Sequence, residues 1–168
     1  MEQAIQFEQS GWVPNNRRFP VIVYRQVLDG PDRAEAFERL FRTNGWGGLW
    51  RNGVYSFHHF HSTAHEILGV AAGQARLMIG GPAGKEIAVE AGDALLLPAG
   101  TGHCRLEASK DLLVIGGYPP GQVADLCREM PTAEQQAMIE KLGVPARDPL
   151  KGEVGGLRSL WHGNTQHR

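Results

Sequence analysis

Between Gly47 and Pro120 the chain never sustains a helical run. "GVYSFHHFH", "EILGVAAG", "QARLMIGGPAGKEIAVEAGD", "ALLLPAGTGH", "LEASKD" and "LLVIGGYPPG" are short apolar or alternating stretches, each cut by a turn signal. Alternation with period two belongs to strands, and strands this short and this closely spaced make a sandwich or barrel, not alternating βα units. Glycine supplies the turns. Its 22 copies among 168 residues are about 13% of the chain, against roughly 7% in an average protein. The expected fold class is all-β, without an internal repeat.

Different patterns flank this stretch. "PVIVYRQV" (20–27) reads as a strand after an N-terminal arm. Pro31 or Asp32 then starts a helix whose apolar stripe is Ala34, Phe37, Leu40 and Phe41, stopped by Asn44-Gly45. A second helix is expected in "AEQQAMIEKLG", with Thr132 as N-cap and Gln135 at its third position. The closing "DPLKGEVGGLRSLWHGNTQHR" is polar and glycine-rich, is expected to pack loosely or against a partner, and gives His162 and His167 no role. The chain thus divides into an N-terminal arm, strand and helix packed on the barrel (1–46), the barrel itself (47–121), and a C-terminal helix and tail (122–168).

Charge and length exclude several functions. The formal net charge is −1, and no basic stripe suggests nucleic acid. No apolar run approaches the roughly 20 residues that span a bilayer. The opening residues lack the pattern of a secretory signal, so a cytoplasmic location is expected. Two cysteines, Cys104 and Cys127, are too few for a disulfide framework and read as buried or idle thiols.

The chemistry concentrates in "HHFHSTAHE", from His58 to Glu66, which holds four of the seven histidines. If "VYSFHHFH" is extended, Tyr55, Phe57, His59 and His61 share one face and His58 points away. A hairpin return brings Glu66 back beside the two imidazoles. A second stretch, "GDALLLPAGTGH", ends a strand at Pro98 and delivers His103 from a glycine turn. Three imidazoles and a carboxylate suit a first-row divalent metal. Tyr55 and Phe57 line the pocket or fill the closed end of the barrel. Arg105 also points inward, to bind a carboxylate or phosphate or, as the favoured reading, to pair with Glu107 or another acid. Cys104 faces away. Trp46 and Trp50 cap the barrel mouth or a subunit interface.

Gly53 to Gly73 resembles the first motif of the cupin superfamily, G-x5-H-x-H-x(3,4)-E-x6-G, at Gly53, His59, His61, Glu66 and Gly73. The stretch from Gly92 is similar to the second, G-x5-P-x-G-x2-H-x3-N, at Gly92, Pro98, Gly100 and His103, with Glu107 where the motif has asparagine. "HSTAHEILGV", "LPAGTGHCRLEAS" and "YPPGQ" further resemble the YjlB-like single-domain cupins. The resemblance implies a double-stranded β-helix (an RmlC-like jelly roll) with a metal inside one end. By the motif, His59, His61, Glu66 and His103 hold one divalent transition metal per chain: Fe, Mn, Ni or Zn. With a three-residue spacer His65 takes the place of Glu66, although the Glu66-to-Gly73 interval favours Glu66. The resemblance also implies a homodimer and a small-molecule ligand or substrate. The activity it points to is a metal-dependent enzyme, with oxygenase-type chemistry ranked first by analogy and isomerase or decarboxylase chemistry as alternatives. A non-catalytic small-molecule or metal-binding sensor, and a metal-free epimerase-like barrel, complete the candidates.

Overall fold

The structure, a computed structural model, describes residues 2–161; His162 and His167 lie outside them. Nine strands form two antiparallel sheets among the described residues. In chain order these are β1 (Glu2–Ile5), β2 (Val21–Tyr24), β3 (Gly47–Asn52), β4 (Glu66–Ala72), β5 (Gln74–Ile79), β6 (Lys85–Glu90), β7 (Ala94–Leu97), β8 (His103–Ala108) and β9 (Leu113–Tyr118). One sheet has the order β1-β2-β7-β4-β9-β3, the other β6-β5-β8. This is the jelly roll that the resemblance implies. The larger sheet takes β1 and β2 from the N-terminal arm, so that arm is part of the sheet.

Strand parity builds the core on both faces of the larger sheet. Val21, Val23, Leu68, Val70, Leu95 and Leu97 face the smaller sheet, where Ala75, Leu77, Ile79, Ile87 and Val89 meet them. The intervening Ile22, Tyr24, Ile67 and Leu96 face the other way. They pack under α1 (Arg33–Thr43), which buries Phe37 and Phe41 as its stripe predicts. A Cβ at Gly69 would stand 2.8 Å from the Phe37 ring, so glycine lets α1 lie close on β4. At α2 (Ala133–Lys141) the capping box between Thr132 and Gln135 is present.

Three expectations are corrected. The stretch "VYSFHHFH" is not a regular strand; β3 precedes it, and only isolated bridges form at His59 and Phe60. The segment follows the edge of β8 with a changing register: Arg105 N–H donates to Tyr55 O (2.9 Å), whereas His59 and His103 exchange both backbone hydrogen bonds (3.2 and 2.9 Å). The residues from Tyr55 to His59 thus lie against the shorter step from Arg105 to His103, which a regular ladder cannot accommodate.

The C-terminal segment does not pack loosely. Leu157 and Trp161 are fully buried, Trp161 stacks on Phe19 at 4.8 Å, and its Nε1 donates to Pro20 O at 2.9 Å. Beside these apolar anchors the segment is held by one buried carboxylate, Asp148, which accepts from Tyr24 and from backbone N–H groups of the segment itself.

Arg105 does not pair with Glu107. The β5–β8 register slips between Arg76 and Leu77, so Arg76 opposes Glu107 while Leu77 opposes Arg105. One extra residue in β8, Leu106, turns Glu107 to the outer face. There Arg76 takes both Glu107 (2.7 Å) and Glu86 (2.7 Å).

Candidate metal centre

Each element of the barrel end carries one part of the site. His59 and His61 hang from the irregular segment against β8, Glu66 opens β4, His103 opens β8 and Tyr118 closes β9. Candidate donor nitrogens of His59, His61 and His103 all lie within 4.8 Å of one another. Glu66 Oε1 stands 3.4 Å from His61 Nε2 and 3.3 Å from His103 Nε2.

Backbone carbonyls set the tautomers. His59 Nδ1 faces Phe57 O and His103 Nδ1 faces Thr101 O, each at 3.0 Å, and His61 Nδ1 faces Asp125 O. A carbonyl is satisfied only by a protonated nitrogen, so each ring donates from Nδ1 and leaves Nε2 as the atom able to face a metal when the ring is neutral. Glu66 Oε2 accepts from the Tyr118 hydroxyl (3.0 Å), and Trp50 Nε1 donates to that same hydroxyl oxygen (2.8 Å). Glu66 Oε1, in contrast, is buried and accepts no hydrogen bond. A buried carboxylate oxygen without a donor costs free energy, and a cation removes that cost. The donor set therefore fits a divalent metal.

Electrostatics give the cluster a direction. Burial and the charge of His103 lower the His59 pKa to about 3, so that ring stays neutral. Burial also lowers His61, but the Glu66 carboxylate together with Asp125 outweighs it and the net shift is upward. Burial would raise Glu66, yet His61 and His103 hold it well below the usual carboxylate range. The carboxylate end attracts positive charge. Burial, with Glu66 beside it, raises the Tyr118 phenol above its ordinary value, so it remains a donor.

His65 is elsewhere. Its Nε2 faces Gly143 O and its Nδ1 accepts from Ala99 N–H, both at 2.9 Å, and the ring is fully buried between Phe19 and Trp161. Both nitrogens are occupied, and the ring ties the segment before β4 to the chain after α2. Burial lowers its pKa to about 4, with the charge of Arg18 adding to the shift. Between pH 6.5 and 4 the unfolded chain binds a proton that the folded chain excludes, so stability falls with pH in that window and is full above it. The expected loss is about 2 kcal/mol between pH 7 and pH 5. Urea midpoints at the two pH values check it, and His65→Gln is expected to remove that part of the slope.

The four residues form the floor of an open cavity of about 570 Å3, whose walls include Trp50, Tyr55, Phe57, Leu68, Arg105 and Tyr118. Tyr55 and Phe57 stack at 4.7 Å, and the Arg128 guanidinium lies 3.6 Å from the Phe57 ring centre. His58 does not line the cavity. Of the two tryptophans left open by the sequence, Trp46 is buried in the core under α1 and Trp50 is in the cavity wall.

Sequence reasoning missed Tyr118 and Asp125. Asp125 accepts from Ser62 N (2.7 Å) and Ser62 Oγ, and its backbone carbonyl holds His61. Burial raises its pKa, but the Ser62, Thr63 and Cys127 hydrogen bonds bring it below the ordinary value. An aromatic at the end of "LLVIGGY" is a weak signal for Tyr118. No local pattern marks Asp125.

A family described as "Cupin domain" matches residues 49–113. Over 161 residues, 95% of this chain and 96% of the relative, the sequence is 35% identical to "Uncharacterized protein YjlB" of Bacillus subtilis (strain 168). The chain belongs to the cupin family. Among solved structures, this cupin is similar to an acireductone dioxygenase from Bacillus anthracis with a cadmium ion in its active center: TM-score 0.39, 15% identity, 54% of this chain and 62% of that one. The epimerase RmlC from Legionella pneumophila aligns with TM-score 0.35 and 14% identity over 80% of this cupin and 75% of that chain.

Proposed function

We propose that this cupin holds one divalent transition metal (Fe, Mn, Ni or Zn) on His59, His61, Glu66 and His103 and acts there on a small organic molecule. The observation that carries the reading is Glu66 Oε1, buried without a donor and facing the Nε2 atoms of His61 and His103. When bound, the metal supplies Lewis acidity toward a substrate oxygen, or dioxygen activation if it is iron. Oxygenase-type chemistry ranks first by analogy alone, ahead of isomerisation and decarboxylation.

The chain's own groups do the remaining work. The three carbonyls fix the ring planes, and Tyr118, steadied by Trp50, directs Oε1 toward the imidazoles. Leu68, Phe57 and Trp50 make part of the wall apolar beside the cluster.

One observation favours a second reading, a binder or sensor without turnover. Outside the four proposed ligands, the one carboxylate lining the cavity is Asp125, and its oxygens are engaged by Ser62, Thr63 and Cys127. Among the described residues, apart from those ligands, no unengaged carboxylate lines the cavity to act as general base. A substrate panel run with metal-loaded protein separates the readings. Turnover is expected that is lost on chelation and restored by metal. Turnover indifferent to chelation overturns the metal's role, and ligand binding without turnover across the panel selects the sensor.

A further inference from the structure

We propose that the cavity is an organic-anion site in which Arg105 binds the carboxylate of the ligand. The inference rests on reading this cavity as the substrate site, and it adds the substrate class. Strand parity places the guanidinium. Leu77 and Ile79 of β5 point into the core, and their partners across the ladder are Arg105 and His103. The two side chains therefore leave β8 on the same face, with backbones about 7 Å apart at the rise of a β-strand. Both line the cavity. A molecule with a carboxylate at one end and an oxygen donor a few atoms away spans the distance from Arg105 to the His59–His61–Glu66–His103 cluster.

The usual fate of such an arginine is an ion pair, and here the bulge at Leu106 prevents it. The acid nearest in sequence, Glu107, is carried to the outer face and paired with Arg76. The other acids lining the cavity are Glu66, which faces His61, His103 and Tyr118, and Asp125, which is held by Ser62 and Thr63. Among the described residues no carboxylate pairs with Arg105. Its backbone is nevertheless fixed, because Arg105 N–H donates to Tyr55 O at 2.9 Å. A charged fork is thus held half-buried in a cavity wall without a protein anion to meet it.

Charge gives the same answer as geometry. Three neutral imidazoles and one carboxylate leave the centre positive once a divalent ion is present, and Arg105 adds to it. A cationic ligand is repelled, a neutral one leaves the guanidinium unmatched, and an anion neutralises both. The planar fork matches a carboxylate by two parallel hydrogen bonds. The stacked Tyr55 and Phe57 rings, with Trp50 and Leu68, suit an apolar or aromatic body on that acid.

The test uses metal-loaded protein and calorimetric titration with acetate, malonate, benzoate, the neutral isostere benzamide and inorganic phosphate. Wild type is expected to bind at least one of the carboxylates, and benzoate in preference to benzamide. Arg105→Gln is expected to weaken carboxylate binding about 10- to 100-fold with metal content unchanged. Arg105→Lys, which keeps the charge but loses the fork, is expected to fall between them and serves if the glutamine variant does not fold. The proposal is overturned if none of the carboxylates binds, if benzamide binds as well as benzoate, or if the variants bind carboxylates like wild type. Tighter binding of phosphate than of any carboxylate overturns the carboxylate assignment. A protein that binds benzoate through Arg105 but carries no metal would sink the metal centre alone.

Discussion

Alanine at His103 is expected to lower the affinity for the bound divalent metal by more than about 100-fold. Groups that merely orient a metal-bound histidine are worth about 10- to 100-fold, so loss of a donor nitrogen exceeds that range. His103 is also among the least adjustable members of the cluster. It begins β8, exchanges both backbone hydrogen bonds with His59, and has its ring fixed by Thr101 O. Its ring centre lies 4.0 Å from that of His59, so the two rings are packed against one another. His59→Ala is expected to behave alike. His58→Ala is the control, since His58 is next to His59 in sequence yet outside the cavity, and its metal affinity should equal wild type. Competition titration against a chromophoric chelator reads all three. Retention of metal by both the His59 and the His103 variants would sink the ligand set.

The second large effect is on stability. Asp148→Ala is expected to destabilise the protein by about 3–5 kcal/mol, seen as a fall in Tm of roughly 10 °C. The fully buried carboxylate accepts from Tyr24 OH (2.7 Å), Leu157 N (3.1 Å), Leu150 N (2.8 Å) and Lys151 N (3.0 Å). Alanine leaves these donors without their acceptor around a new void. The variant also releases the strap that carries Leu157 and Trp161 into the core, so the loss extends beyond the hydrogen bonds themselves. Asp148→Asn, with one acceptor oxygen in place of two, should fall between. Thermal denaturation decides it, and a Tm within about 2 °C of wild type would contradict the strap.

These two sites mark what was and was not legible in the sequence. Patterns within one element carried over: the Phe37–Phe41 stripe of α1, the Thr132–Gln135 box, and the inward parity of His103 and Arg105 on β8. Features set by pairing between distant segments did not. "VYSFHHFH" alternates like a strand, but its register is set by β8, some forty residues later, and that edge makes it irregular. The bulge at Leu106 has no signature in "HCRLEAS", yet it decides whether Arg105 is neutralised. Asp148 sits in a glycine-rich stretch that looks like a loose tail, because the partner that anchors it to the sheet, Tyr24, is more than a hundred residues away. Tyr118 and Asp125 reach the cluster through the meeting of β9 and the following loop with β4 and the His61 turn, and nothing nearby in the sequence announces that meeting.

The most direct measurement is the metal content of untagged protein purified from cells, by elemental analysis after exchange into metal-free buffer. The clustered His59, His61 and His103, with Glu66 beside two of them, predict about one divalent transition metal per chain. Protein that is folded and carries none, and that takes up none when Fe, Mn, Ni or Zn is supplied, would contradict the metal centre.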